Sequence, residues 1–221
     1  MNPEKVPHFA IAIDGPAASG KSTLARLLAK RLGLIMVNSG AMYRAVTWKV
    51  LNENIDPRDT AAVIGLLDRI DIRCGSDGIM STITIDGADP GEALRSPAVN
   101  ANVSTISAIP EVRGKLIALQ RGYLEHSGVV MEGRDIGSVV FPDTPYKIYV
   151  DAAEHVRAAR RGNDGEVDSI AKRDAADSGR ATAPLVVAEG ATVLDNSDHT
   201  IESGVEAAID ILRQQGLEIP D

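Results

Sequence analysis

The 221-residue chain sets 31 acidic against 23 basic side chains, for a formal net charge of -8 and a pI near 5.0, which argues against nonspecific nucleic-acid binding. Hydrophobic residues make up 44% but aromatic residues only 3%, so a sizeable core can form and aliphatic side chains must fill it. Cys74 is the single cysteine, which excludes an intramolecular disulfide or a multi-cysteine zinc site, and neither an apolar signal core nor a membrane-length apolar run occurs; a cytoplasmic protein is expected, with no nucleic-acid or membrane partner.

In chain order, Phe9-Ala10-Ile11-Ala12-Ile13 reads as a buried strand. It runs into Gly15-Pro16-Ala17-Ala18-Ser19-Gly20-Lys21-Ser22, which matches the phosphate-binding pattern G-x-x-x-x-G-K-[ST] at every fixed position. Gly15 and Gly20 let the backbone curl so that successive N–H groups face a phosphate, and the following helix adds the positive end of its dipole. Lys21 can reach the β- and γ-phosphates, and Ser22 offers a hydroxyl to Mg²⁺. Leu24, Leu27, Leu28 and Leu32 recur at helical spacing and Gly33 stops the helix. Strand, glycine-rich loop and helix are the order that this chemistry requires.

Leu34 to Asn38 reads as a second strand, after which Ser39 is placed to cap a helix running through Trp48 and Leu51. Asp56-Pro57-Arg58-Asp59-Thr60 is a turn and a new helix start. Between about residues 70 and 95 the texture changes. Asp71 to Cys74 and Thr82 to Ile85 alternate polar and apolar about a turn at Gly75-Ser76-Asp77-Gly78, so a small antiparallel sheet is inserted there. Ser96-Pro97 and Pro110 start further helices. Val129-Val130-Met131 is a third strand, Tyr146 to Val150 a fourth and Ala191 to Leu194 a fifth. Asp151 and Glu154 form an acidic N-cap pair for a helix ending at Arg161, a polar helix carries Arg173, Asp177 and Arg180, and a last helix buries Val205, Ala208, Ile209 and Leu212. Five buried strands separated by helices imply an α/β fold, a parallel five-stranded sheet with helices on both faces. In such sheets ligands bind outside the carboxyl ends of the strands. Those ends carry Gly15–Ser22, Ser39–Arg44, Glu132–Asp135, Asp151 and Asp195.

Sixteen arginines stand against seven lysines, a skew that suits forked binding of phosphates. The D-x-x-G and N-K-x-D segments of a GTPase are absent. A kinase for a phosphorylated acceptor must hold two anions close together, which requires arginines besides the loop lysine. Arg44 and Arg134 lie just past strand ends, Arg157 and Arg161 share a helix face, and Arg160 reads as a solvated surface charge. The histidines 8, 126, 155 and 199 read as structural or solvated.

Four stretches, IAIDGPAASGKST (11–23), NSGAMYRA (38–45), EGRDIGSVVFPD (132–143) and KRDAADSGRATAPL (172–185), make the chain resemble the bacterial cytidylate kinases, nucleoside monophosphate kinases of the P-loop type. The resemblance spans nearly the whole sequence. It implies one domain over 1–221, a monophosphate-binding region at 38–128 enlarged by the β insertion, and a short lid at 157–180. It implies transfer of phosphate from ATP to CMP or dCMP in pyrimidine nucleotide metabolism, with Mg²⁺ on Ser22, by a monomer. Gly15, Pro16, Ala17, Ala18, Ser19, Gly20, Lys21, Ser22 and Thr23 would cradle ATP, with Arg157 and Arg161 beside it. The acceptor phosphate would fall to Arg44, Arg134 and Arg180, the pyrimidine to Ser104, Arg113 and Asp135, and the sugar to Arg173 and Asp177. Ser39, Tyr43 and Glu132 would complete the acceptor site, and Lys21, Arg134 and Arg180 would be catalytic. Asn38 stands where the family usually has Asp, and the stretch from Arg161 to Arg173 is short. A UMP or AMP kinase and a noncatalytic nucleotide-binding regulatory module are the alternatives.

Overall fold

The computed structural model describes residues 8–163, 179 and 184–219, with the backbone alone for 161–163. Its central sheet takes β1 (Ala10–Asp14), β2 (Ile35–Asn38), β5 (Val129–Gly133), β6 (Lys147–Asp151) and β7 (Thr192–Asp195) in the order β2-β5-β1-β6-β7, every pair parallel. β1 and β5 are buried over their full length because they lie centrally and are covered on both faces. The period-2 pleat divides their side chains. Ile11, Ile13 and Val130 join a core with helices α1 (Lys21–Leu32) and α7 (Ile201–Gln214), while Ala10, Ala12, Val129 and Met131 face the opposite core with Ile136 and Val140. The expectation of five buried strands fails at β7, where only Leu194 is buried. β7 is the last strand in the sheet order, and among the described residues it pairs on one flank alone, with β6.

A further core joins α2 (Ser39–Asn52), α3 (Thr60–Leu67), the hairpin β3 (Ile72–Ser76) and β4 (Ser81–Ile85), α4 (Pro97–Ser107) and α5 (Pro110–Gly122). The hairpin pairs antiparallel as expected, but β3 extends through Ser76, so the turn falls at Asp77, whose carboxylate accepts from the N–H groups of Ile79 and Met80. That turn docks on the other sheet edge. Met36 N–H donates to Ile79 O at 2.8 Å, and Asn38 N–H to Ser81 Oγ at 3.3 Å. The insertion thereby occupies an edge that would otherwise offer unpaired backbone groups.

Two caps differ from expectation. Asn38, not Ser39, caps α2, its Oδ1 accepting from Ala41 N–H at 2.9 Å, and Ser39 Oγ instead donates to Glu132 O at 2.8 Å. Asp151 and Glu154 form no capping pair. Asp151 Oδ1 accepts from Ala152 N–H, and the helix α6 (Glu154–Asn163) begins behind Ala153, whose N–H donates to Ser197 Oγ. Ser96 caps α4 and Pro110 opens α5 as expected.

Candidate active site

The strand order brings the carboxyl ends of β1, β2 and β5 side by side, with β6 next to β1. Gly15 leaves β1 at φ 151°, and a Cβ there would stand 2.0 Å from Val150 O, so only glycine lets the loop pass the end of β6. Gly20 turns the chain into α1 at φ 93°, where a Cβ would meet Asn196 Nδ2 at 2.4 Å. Lys21 is buried at 5% exposure and its Nζ donates to Pro16 O at 2.9 Å, folding the side chain back over the loop. From behind, Asn196 Nδ2 donates to Ser19 O at 2.8 Å, Arg160 bridges Ser19 O and Asn196 O, and Arg157 reaches Ala17 O at 3.3 Å. Arg160 is therefore no solvated charge, because its guanidinium ties the end of β7 to the phosphate loop. Arg157 lies at the loop.

Opposite the loop a cleft of about 1500 Å³ opens between α1, α2, α4 and the end of β5. It is lined by Ala18, Gly20, Lys21, Ser22 and Thr23 of the loop and α1 and by Ser39, Tyr43, Arg44, Ser104, Glu132 and Arg134 from other elements. The cleft thus collects residues from both halves of the expected site. Arg44 Nη1 donates to Leu94 O at 2.9 Å and to Asn100 Oδ1 at 2.5 Å, which aims the guanidinium between α2 and α4. Arg113 and Asp135 are 4% and 5% exposed and form a buried ion pair. Arg113 Nη1 also donates to Ser107 O, and its guanidinium lies 5.5 Å from the centre of the Tyr43 ring, within cation–π range. His199 lines the cleft, with Nδ1 on Ser203 Oγ at 2.9 Å.

Ser22 Oγ donates to Glu132 Oε1 at 2.9 Å. A loop hydroxyl and a buried carboxylate on the neighbouring strand are the hard oxygen donors that Mg²⁺ takes, with one carboxylate and the rest of its shell from phosphate and water. Both residues fit that ion. Among the described residues no cluster of three or more His, Cys, Asp or Glu could hold a metal by itself.

A model of the family described as "Cytidylate kinase" matches residues 11–214. The chain belongs to the cytidylate kinase family. It is 43% identical to a cytidylate kinase of Caldanaerobacter subterraneus, over 92% of this chain and 94% of that one. It is 39% identical to a cytidylate kinase of Streptomyces avermitilis, over 95% of each. The solved structure of TT1252 from Thermus thermophilus, 18% identical, superposes with a TM-score of 0.50 over 96% of this chain and 99% of that one, a likeness of fold.

Within this cytidylate kinase fold, Arg173, Asp177 and Arg180 and most of the expected lid lie outside the described residues, as does the side chain of Arg161. Among the described residues no helix is long and apolar enough to cross a membrane. Three contributors escaped the sequence reading: Arg160, Asn196 and Asp14. Asp14 had a signal, a carboxylate at the end of an otherwise wholly apolar strand. Asn196 had none, because its contact with Ser19 spans 177 residues of chain.

Proposed function

We propose that this cytidylate kinase transfers the γ-phosphoryl group of ATP to the phosphate of CMP, and of dCMP. The observation that carries the reading is one cleft lined both by the phosphate loop with Lys21 and by Arg44 and Arg134. Two anions held in one cleft need no protein nucleophile, since phosphoryl transfer runs on alignment and charge neutralisation. Residues 38–128, with their own core, would form the acceptor region, and 157–180 would serve as the lid. Gly15 to Thr23 would hold the triphosphate, with Lys21 toward the transferred group and Arg157, Arg160 and Arg161 at its back. Arg44, Arg134 and Arg180 would fork onto the acceptor phosphate, and Arg173 and Asp177 would take the sugar. Ser22 and Glu132 would hold Mg²⁺, which when bound neutralises charge on the donor phosphates.

The Arg113–Asp135 pair supports a cytosine reader. The guanidinium orients a carboxylate that can accept from an exocyclic amine but repels a carbonyl oxygen at the same place, and Ser104, which lines the cleft, would add a hydroxyl to that reading. Losing one paired contact of this kind costs about 1–3 kcal/mol, or roughly 5- to 150-fold in selectivity. A monomeric, cytoplasmic enzyme belongs to the same proposal.

Steady-state kinetics with CMP, dCMP, UMP and AMP test the reading. CMP is expected to exceed UMP and AMP in kcat/KM by at least ~10-fold, and UMP turned over as well as CMP would remove the cytosine assignment. Absence of ATP-dependent CDP formation would favour a noncatalytic nucleotide-binding module. In the same assay Arg134→Ala is expected to lower kcat/KM for CMP by ~10²-fold while ATP binding stays near wild type, since the lost fork touches only the acceptor.

A further inference from the structure

Asp14 is a buried carboxylate that phosphate binding and base reading leave unused. It closes β1 directly before Gly15 and is 4% exposed. Oδ1 accepts from Ile136 N–H and Oδ2 from Gly137 N–H, each at 2.7 Å. Burial pushes its pKa up to about 6 in spite of those two bonds, with Asp135 raising it further and Lys21 opposing. A carboxylate out of water is unfavourable for the fold unless its bonds achieve something that an apolar strand end would not.

What the two bonds hold is the start of a π-helical turn, Ile136–Val140, immediately after Arg134 and Asp135. π-Turns are uncommon and recur at functional sites. Arg121 grips the far end of the turn, with Nε on Val140 O at 2.8 Å and Nη2 on Val139 O at 2.9 Å. β1 and β5 also pair side by side here, Asp14 opposite Gly133. One side chain therefore connects the residue that opens the phosphate loop to the segment that carries the acceptor-site arginine and carboxylate.

We propose that Asp14 is a positioning residue that sets the Arg134–Asp135 segment against the phosphate loop, so that donor and acceptor phosphates are held at one separation. The inference rests on the acceptor role given above to that segment. In-line transfer is sensitive to such spacing, and a shift near 1 Å costs on the order of 10²-fold in rate.

Two variants of the full chain test it, Asp14→Asn and Gly137→Ala. An asparagine keeps one acceptor oxygen but turns an N–H toward the second main-chain N–H, so one bond of the pair is lost. A Cβ on Gly137 would lie 3.3 Å from Asp14 Oδ2 and 3.2 Å from Lys147 Cδ, which displaces the same contact from the other side. For Asp14→Asn, kcat is expected to fall at least ~10-fold and KM for CMP to rise at least ~5-fold, while the Kd for ATP measured without CMP stays within ~2-fold. Gly137→Ala is expected to follow the same pattern with a smaller loss, about 3-fold, and it remains informative if Asp14→Asn does not fold. The double variant should lose no more than Asp14→Asn alone, because both act on one contact. Variants that melt lower but keep wild-type kcat and CMP KM, or that lose ATP and CMP affinity equally, overturn the inference. A wild-type protein inactive on CMP overturns the functional reading instead, so the two failures are distinct.

Discussion

Lys21→Ala is expected to lower kcat for CMP phosphorylation by about 10³-fold with the fold retained. The side chain is buried, and in the structure its ammonium donates to the loop's own Pro16 carbonyl. It is held ready beside the loop and can exchange that carbonyl for a phosphate oxygen with little reorganisation. In the proposed reaction its positive charge would oppose the charge that develops on the transferred group, and a point charge held by the protein acts more strongly than one in solvent. The fold should persist because the loop is tied from behind by Asn196, Arg160 and Arg157, none of which depends on Lys21. CDP formation followed under saturating ATP, beside a thermal melt, checks both halves. A variant retaining more than about a tenth of wild-type kcat would remove Lys21 from the chemistry.

Arg113→Leu is expected to produce the largest loss of stability. The guanidinium and the Asp135 carboxylate are both almost wholly out of water, so deleting one leaves the other charge buried without its partner. Breaking a buried pair in this way costs about 3–5 kcal/mol. For a chain of this size that lowers Tm by roughly 6–20 °C. Stacking over Tyr43 and the bond to Ser107 O disappear with it. The double variant Arg113→Leu, Asp135→Asn removes the stranded charge and should recover a large part of the loss, while CMP over UMP selectivity stays low in both. A double variant no more stable than Arg113→Leu would mean that the pair contributes little beyond packing, and unaltered selectivity in either would remove it from base reading.

The strands, their parallel association and the phosphate loop were legible in the chain because they rest on local rules. Apolar runs of strand length, helical spacing of leucines and a glycine-rich loop between them need no knowledge of distant partners. The β insertion was legible from its change of period, and the resemblance of four stretches to one family named that family. Where local signals competed, the outcome depended on a neighbour from elsewhere. Ser39 reads as a cap, yet Glu132 O lies within reach of its hydroxyl and Asn38 takes the cap instead. Arg160 reads as a surface charge until β7 and the phosphate loop meet it. β7 has the sequence of a buried strand and is half exposed only because the sheet ends there. By itself, then, the sequence determined the strands, the loop and the kind of chemistry, all of which follow from periodicity and residue type over a few turns of chain. Only the tertiary structure decided that Ser22 meets Glu132, that Arg113 is buried against Asp135 and that Asp14 holds the turn behind Arg134, because each contact joins residues 22 to 122 positions apart and exists only once the sheet order has set strand beside strand.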